Sequence, residues 1–137
     1  MKVITQNIQK VLTGLRVMVI DDVTDCRDVV NLYLNQMGAK VKAVASANDA
    51  LSVINNFQPE LIISDIYMPE QDGYWLIEQL NRLNAKSNHK ILTIALTAAA
   101  KEVDKEQLLA AGYDGYLAKP FMFEDLNKLI ARLIIES

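Results

Sequence analysis

The sequence predicts an α/β fold in which a parallel sheet is covered by helices on both faces. Short apolar runs alternate five times with helical patterns. The connections between them are short, which suits right-handed crossovers between parallel strands. The central runs are apolar almost throughout, as strands buried on both faces are.

Taken in order, Val3, Ile4, Ile8, Val11 and Leu12 follow helical spacing until Gly14, so residues 1–14 read as a helical extension, docked on the domain or left over from a linker. Leu15 to Ile20 is the first strand and ends at Asp21-Asp22. Asp25 to Met37 is a helix with Val29, Val30, Leu32, Tyr33, Leu34 and Met37 forming a broad apolar face, capped by Gly38. Lys40 to Val44 is short and alternating, the mark of an edge strand. Ser46 is the N-cap of the next helix, which turns Ala47, Ala50, Leu51 and Ile54 inward.

After Pro59, Leu61 to Asp65 is a buried strand ending on an acid, followed by the turn chemistry of Met68-Pro69-Glu70-Gln71-Asp72-Gly73. Gly73 to Leu83 is a helix and Asn84 to Lys90 a polar loop holding the only histidine, His89. Ile91 to Leu96 is a strand ending at Thr97, Lys101 to Ala111 a helix stopped by Gly112, and Tyr113 to Ala118 a strand ending at Lys119-Pro120. Phe123 to Ile135 closes the chain as an amphipathic helix. Residues 15–137 form one domain.

The bulk properties agree. A chain of 137 residues with 51% hydrophobic and 23% charged residues buries one core. A net charge of −3 without a long basic run argues against a nucleic-acid or anionic-membrane surface. The single cysteine, Cys26, leaves no internal disulfide and no cysteine-based metal cluster. No apolar stretch spans a bilayer and no signal-peptide core is present, so a cytoplasmic protein is expected.

A parallel sheet puts all C-terminal strand ends on one edge, where open α/β sheets bind their ligands. That edge gathers Asp21, Asp22, Asp65, Thr97 and Lys119. Alone, Asp21-Asp22 is a turn and Thr97 a strand-end hydroxyl; together they are a chemical set. Clustered carboxylates repel and call for a cation, and hard oxygen ligands favour Mg2+. Lys119 adds a charge that pairs with a carboxylate or a phosphoryl oxygen. A carboxylate beside a metal can attack phosphorus and form an aspartyl phosphate.

The set resembles the receiver domain of two-component response regulators. The matching pieces are Asp21-Asp22, Asp65 with Met68-Pro69 and Asp72-Gly73, Thr97-Ala98, and Lys119-Pro120-Phe121, each after its proper strand, over roughly residues 15–135. The resemblance implies a flavodoxin-like, doubly wound, five-stranded sheet of order 2-1-3-4-5 with five helices. It implies Asp65 as phosphoacceptor and Mg2+ (or Mn2+) held by Asp21, Asp22, Asp65 and the Tyr67 carbonyl. Lys119 would bind Asp65 at rest and a phosphoryl oxygen afterwards, through a cis Lys119–Pro120 bond. Thr97 would be the switch hydroxyl and Tyr116 the switch aromatic, although packing against the fourth helix explains Tyr116 equally well. The partner would be a histidine kinase or histidine phosphotransfer domain meeting residues around Asp25 to Tyr33. Phosphorylation would change the surface of the fourth helix, fifth strand and fifth helix, where a homodimer is also possible. Tyr67 shields the phosphoryl position and Ala99 offers nothing to position water, so self-dephosphorylation is expected to be slow to moderate.

Competing functions are weaker. A flavin or dinucleotide module lacks a G-x-G-x-x-G after the first strand. An Asp-nucleophile phosphatase needs an acid two residues after the nucleophile, where this chain has Tyr67. His89 and Cys26 receive no role, and Asp25 and Arg27 read as a solvated helix start near the edge. The expectation is a phosphorylation-dependent switch without turnover on outside substrates, either stand-alone, which the start at Met1 favours, or part of a hybrid sensor kinase.

Overall fold

The computed structural model describes residues 8–87, 90–98 and 102–136, except for the side chains of 102–104. Val3, Ile4, His89, Ala99 and Lys101 lie outside the described residues. The strands are β1 (Arg16–Ile20), β2 (Lys40–Val44), β3 (Leu61–Asp65), β4 (Leu92–Thr97) and β5 (Gly115–Ala118). The helices are α1 (Thr24–Gln36), α2 (Ala47–Phe57), α3 (Gly73–Lys86), α4 (Glu102–Ala111) and α5 (Phe123–Glu136), preceded by a helical segment at residues 8–12. All strand pairs are parallel and the order is β2-β1-β3-β4-β5, the flavodoxin-like arrangement expected.

The period-two rule divides the core between the two faces. Val17 and Val19 of β1, Leu61 and Ile63 of β3, and Ile94 and Leu96 of β4 pack with Val30 and Leu34 of α1 and Leu126, Leu129 and Ile130 of α5. Met18, Ile20, Ile62 and Ala95 point the other way, toward Ala50 and Ile54 of α2, Leu76, Ile77 and Leu80 of α3, and Leu108 and Tyr113. β2 is an edge strand, and Lys40 and Lys42 face solvent on it.

Ile8 and Leu12 of the leading segment are 1% and 0% exposed and belong to the first of these cores. Gly14, at φ +77°, ends the segment, and its N–H donates to Gly38 O at 2.9 Å, tying it to the α1–β2 turn. Ser46 caps α2 as expected, its hydroxyl accepting from Asp49 N at 3.0 Å.

Three expectations need correction. The apolar face of α1 is narrower: Val30 and Leu34 are buried and Tyr33 and Met37 half-buried, but Val29 and Leu32 are 54% and 60% exposed. The inward stripe runs through residues four apart, and Val29 and Leu32 lie on the other side of the helix. α3 runs on to Lys86, because Asn84, Ala85 and Lys86 hold no breaker. β5 begins at Gly115, not Tyr113. Gly112, at φ +119°, turns the chain so that Tyr113 N bonds Leu108 O and Tyr113 enters the core.

Candidate functional site

The C-terminal edge of the sheet carries the expected residues. Asp21 follows β1 directly and is held there by its N–H donating to Val44 O at 3.2 Å. Asp65 and Thr97 are the last residues of β3 and β4, and both are buried. Lys119 follows β5, and its N–H donates to Thr97 O at 2.8 Å. The Lys119–Pro120 bond is cis.

The charges converge. One carboxylate oxygen each from Asp21, Asp22 and Asp65 lie within 4.8 Å of one another. Lys119 Nζ is 2.9 Å from Asp21 Oδ2 and 3.7 Å from Asp65 Oδ2. The lysine therefore leans toward Asp21 rather than toward Asp65, as the resemblance implied. Asp65 is held otherwise, with Oδ1 accepting from Ile66 N at 2.8 Å. Asp21 Oδ1 accepts from Val23 N at 2.9 Å, and Arg27 Nη1 donates to Asp21 O at 2.8 Å.

Burial pushes the Asp65 carboxyl above its ordinary value, Lys119 pulls it back, and Asp21 and Asp22 add to the rise. Desolvation alone lowers Lys119, but its hydrogen bond to Asp21 and the charges of Asp65 and Asp21 outweigh it and hold the ammonium up.

This donor set fits a hard divalent cation. Asp22 Oδ1 is buried without a hydrogen-bond partner, the one such side-chain atom among the described residues. A buried, unpaired carboxylate oxygen is costly, and a cation facing three carboxylates removes both that cost and their repulsion. Asp21, Asp22 and Asp65 are the side chains that would hold it.

The loop after Asp65 is built around Gly73. Gly73 N donates to Ile66 O at 2.8 Å, and Asp72 caps α3 by accepting from Trp75 N at 2.9 Å. A Cβ on Gly73 would stand 2.5 Å from Ile66 Cδ1, 2.9 Å from Ile66 Cα and 3.0 Å from Tyr113 Oη, so only glycine fits. Tyr67 projects from this loop and is 54% exposed. Tyr116 is half-buried against the second core, with Lys105 Nζ 5.5 Å from its ring centre.

Sequence reading missed three contributors. Arg27 braces the Asp21 turn, Ser64 Oγ donates to Asp65 O at 2.8 Å, and Tyr113 Oη donates to Gly73 O at 2.7 Å. Arg27 had a weak signal in its closeness to the acid pair. Tyr113 had none, because its reach to Gly73 depends on the turn at Gly112.

The sequence matches the family described as "Response regulator receiver domain" over residues 17–131. An uncharacterized 14.6 kDa protein of Leptolyngbya boryana is 36% identical over 119 residues, covering 87% of this chain and 89% of that protein. Hybrid signal transduction histidine kinase D of Dictyostelium discoideum is 32% identical over 133 residues, 92% of this chain but only 8% of the kinase. Among solved structures, the receiver domain of an Arabidopsis thaliana histidine kinase, complexed with Mg2+ and BeF3−, is 25% identical with a TM-score of 0.80, covering 94% of this chain and 95% of that one. The sheet order, the acids and lysine gathered on its C-terminal edge, and the family match over residues 17–131 agree: the chain belongs to the response regulator receiver domain family.

Proposed function

We propose that this chain accepts a phosphoryl group on Asp65 from a phosphohistidine of a histidine kinase or phosphotransfer domain and signals by the resulting change of conformation. The supporting observation is the cluster of three carboxylates with Lys119 at one sheet edge, where Asp22 Oδ1 lacks a partner. An Asp65 oxygen attacks phosphorus, the P–N bond breaks, and the histidine nitrogen leaves with the electron pair. Mg2+, when bound by Asp21, Asp22, Asp65 and the Tyr67 carbonyl, supplies charge neutralisation. Lys119 moves from Asp21 and Asp65 to a phosphoryl oxygen, and Thr97 turns its hydroxyl to the same group. Tyr116 follows inward and alters the α4–β5–α5 face. Leu109 is 43% exposed on α4, and a homodimer through that face belongs to the same reading.

The donor would dock beside the site on the exposed apolar residues Val23, Val29, Leu32 and Met122. Tyr33 contributes less to docking than the sequence implied, since its ring stacks on Phe123 at 4.0 Å and its hydroxyl donates to Asn127. The chain promotes only its own phosphorylation and dephosphorylation, in the cytoplasm, without touching nucleic acid. Among the described residues no helix is long and apolar enough to cross a membrane.

The test is incubation with acetyl phosphate and Mg2+. Wild type gains one base-labile phosphoryl group by mass spectrometry, Asp65→Asn gains none, and chelation of Mg2+ stops labelling. Equal labelling of Asp65→Asn would overturn the assignment.

A further inference from the structure

Tyr113 is 3% exposed, yet it carries a hydroxyl into the second core. It leaves the turn after α4 and crosses to the β3–α3 loop, where Oη donates to Gly73 O at 2.7 Å. Gly73 is thus held twice, its N–H by Ile66 O and its carbonyl by Tyr113. Between Ile66 and Gly73 runs the loop that bears Tyr67, and Ser64 touches the carbonyl of Asp65 itself. A buried hydroxyl costs free energy unless it is satisfied, so this phenol is locked onto one acceptor. Packing alone needs no hydroxyl here, and a phenyl ring would fill the same space.

We propose that Tyr113 is a positioning residue of the phosphoacceptor site: by anchoring Gly73 it fixes the loop and, with it, the Tyr67 carbonyl. This inference rests on the phosphoacceptor reading given above. Groups behind a metal site that orient its ligands raise affinity because the shell need not be ordered on binding. Tyr113 does this from a different element, so the end of α4 is tied to the far end of the loop by one hydrogen bond.

Tyr113→Phe removes the hydroxyl and keeps the ring. Mg2+ affinity is read from the fluorescence of Trp75, the only tryptophan, which sits in the first turn of α3. The variant is expected to bind Mg2+ about tenfold more weakly than wild type. Its labelling by acetyl phosphate should be slow at low Mg2+ and return to within about twofold of wild type at saturating Mg2+. Ile130→Val, which loosens the opposite core, is the control and should leave Mg2+ affinity unchanged. In wild type, Mg2+ should also slow amide exchange at Gly73, a readout that needs no variant. Tyr113→Phe binding Mg2+ like wild type, Ile130→Val weakening it equally, or unchanged exchange at Gly73 would each overturn the positioning role. If the wild type itself neither binds Mg2+ nor labels, the phosphoacceptor reading falls and the inference falls with it. A wild type that binds and labels beside an unaffected Tyr113→Phe sinks the inference alone.

Discussion

Lys119→Met is expected to slow phosphoryl uptake from acetyl phosphate by about 100-fold, or ~2.7 kcal/mol of transition-state stabilisation. The lysine is the one cation within salt-bridge distance of Asp21 and Asp65 among the described residues. Methionine keeps the length and apolar stem but cannot neutralise charge growing on the phosphoryl oxygens. The same change acts on stability. Lys119 is held above its ordinary value of 10.5, so its stabilisation is complete below that pH and fades as pH rises through the raised value. Asp65 is raised above 3.8, opposite in sense to a salt-bridged acid that is lowered. Its penalty is absent below 3.8 and grows as pH climbs through the folded value. Removing Lys119 takes away the influence that lowers Asp65, so that penalty deepens. Denaturant unfolding should show Lys119→Met less stable by about 1–2 kcal/mol at neutral pH, with the gap closing toward the acid side. A gap that widens on acidification would refute this account.

The double variant Ile8→Ala, Leu12→Ala is expected to lose about 4–6 kcal/mol of folding stability. Both side chains are fully buried among residues of β1, α1 and α5. Each truncation removes transfer energy and leaves a cavity that the surrounding strands and helices cannot close. Against a total of about 5–15 kcal/mol for a small domain, this is enough to populate unfolded chains at ordinary temperature. Urea denaturation measures it directly. A loss under about 1 kcal/mol would mean that the segment is only laid on the surface.

The sheet and its edge were legible because hydrophobic runs, glycine stops and strand-end polar residues all speak through local sequence. Asp21, Asp22, Asp65, Thr97 and Lys119 each end a run, so chain order and one topological rule bring them together. What stayed hidden depends on distance across the fold. Lys119 chooses Asp21 over Asp65 by 0.8 Å, the difference between 3.7 and 2.9 Å, and no pattern along the chain encodes that. Tyr113 looked like the first strand residue, since an aromatic before Asp114-Gly115 suits a strand, but the turn at Gly112 sends it inward. Val29 and Leu32 read as core because periodicity counts apolar residues without knowing how much of a helix the sheet will cover. For residues 1–14 packing on the domain was the safer reading, and among the described residues of that segment the burial of Ile8 and Leu12 is what bears on it.

α4 is anchored differently from its neighbours. α3 buries Gly73, Leu76, Ile77 and Leu80, whereas among the described side chains of α4 only Leu108 is fully buried. The free energy of opening a segment follows the apolar contact it must give up. Judged by its described side chains, α4 therefore has less apolar contact to give up than α3, and is expected to open at lower cost. Under the proposed reading, the α4 end of the molecule, which is expected to open at lower cost than α3, also belongs to the α4–β5–α5 face that phosphorylation would reshape, so local opening and signalling would draw on the same contacts.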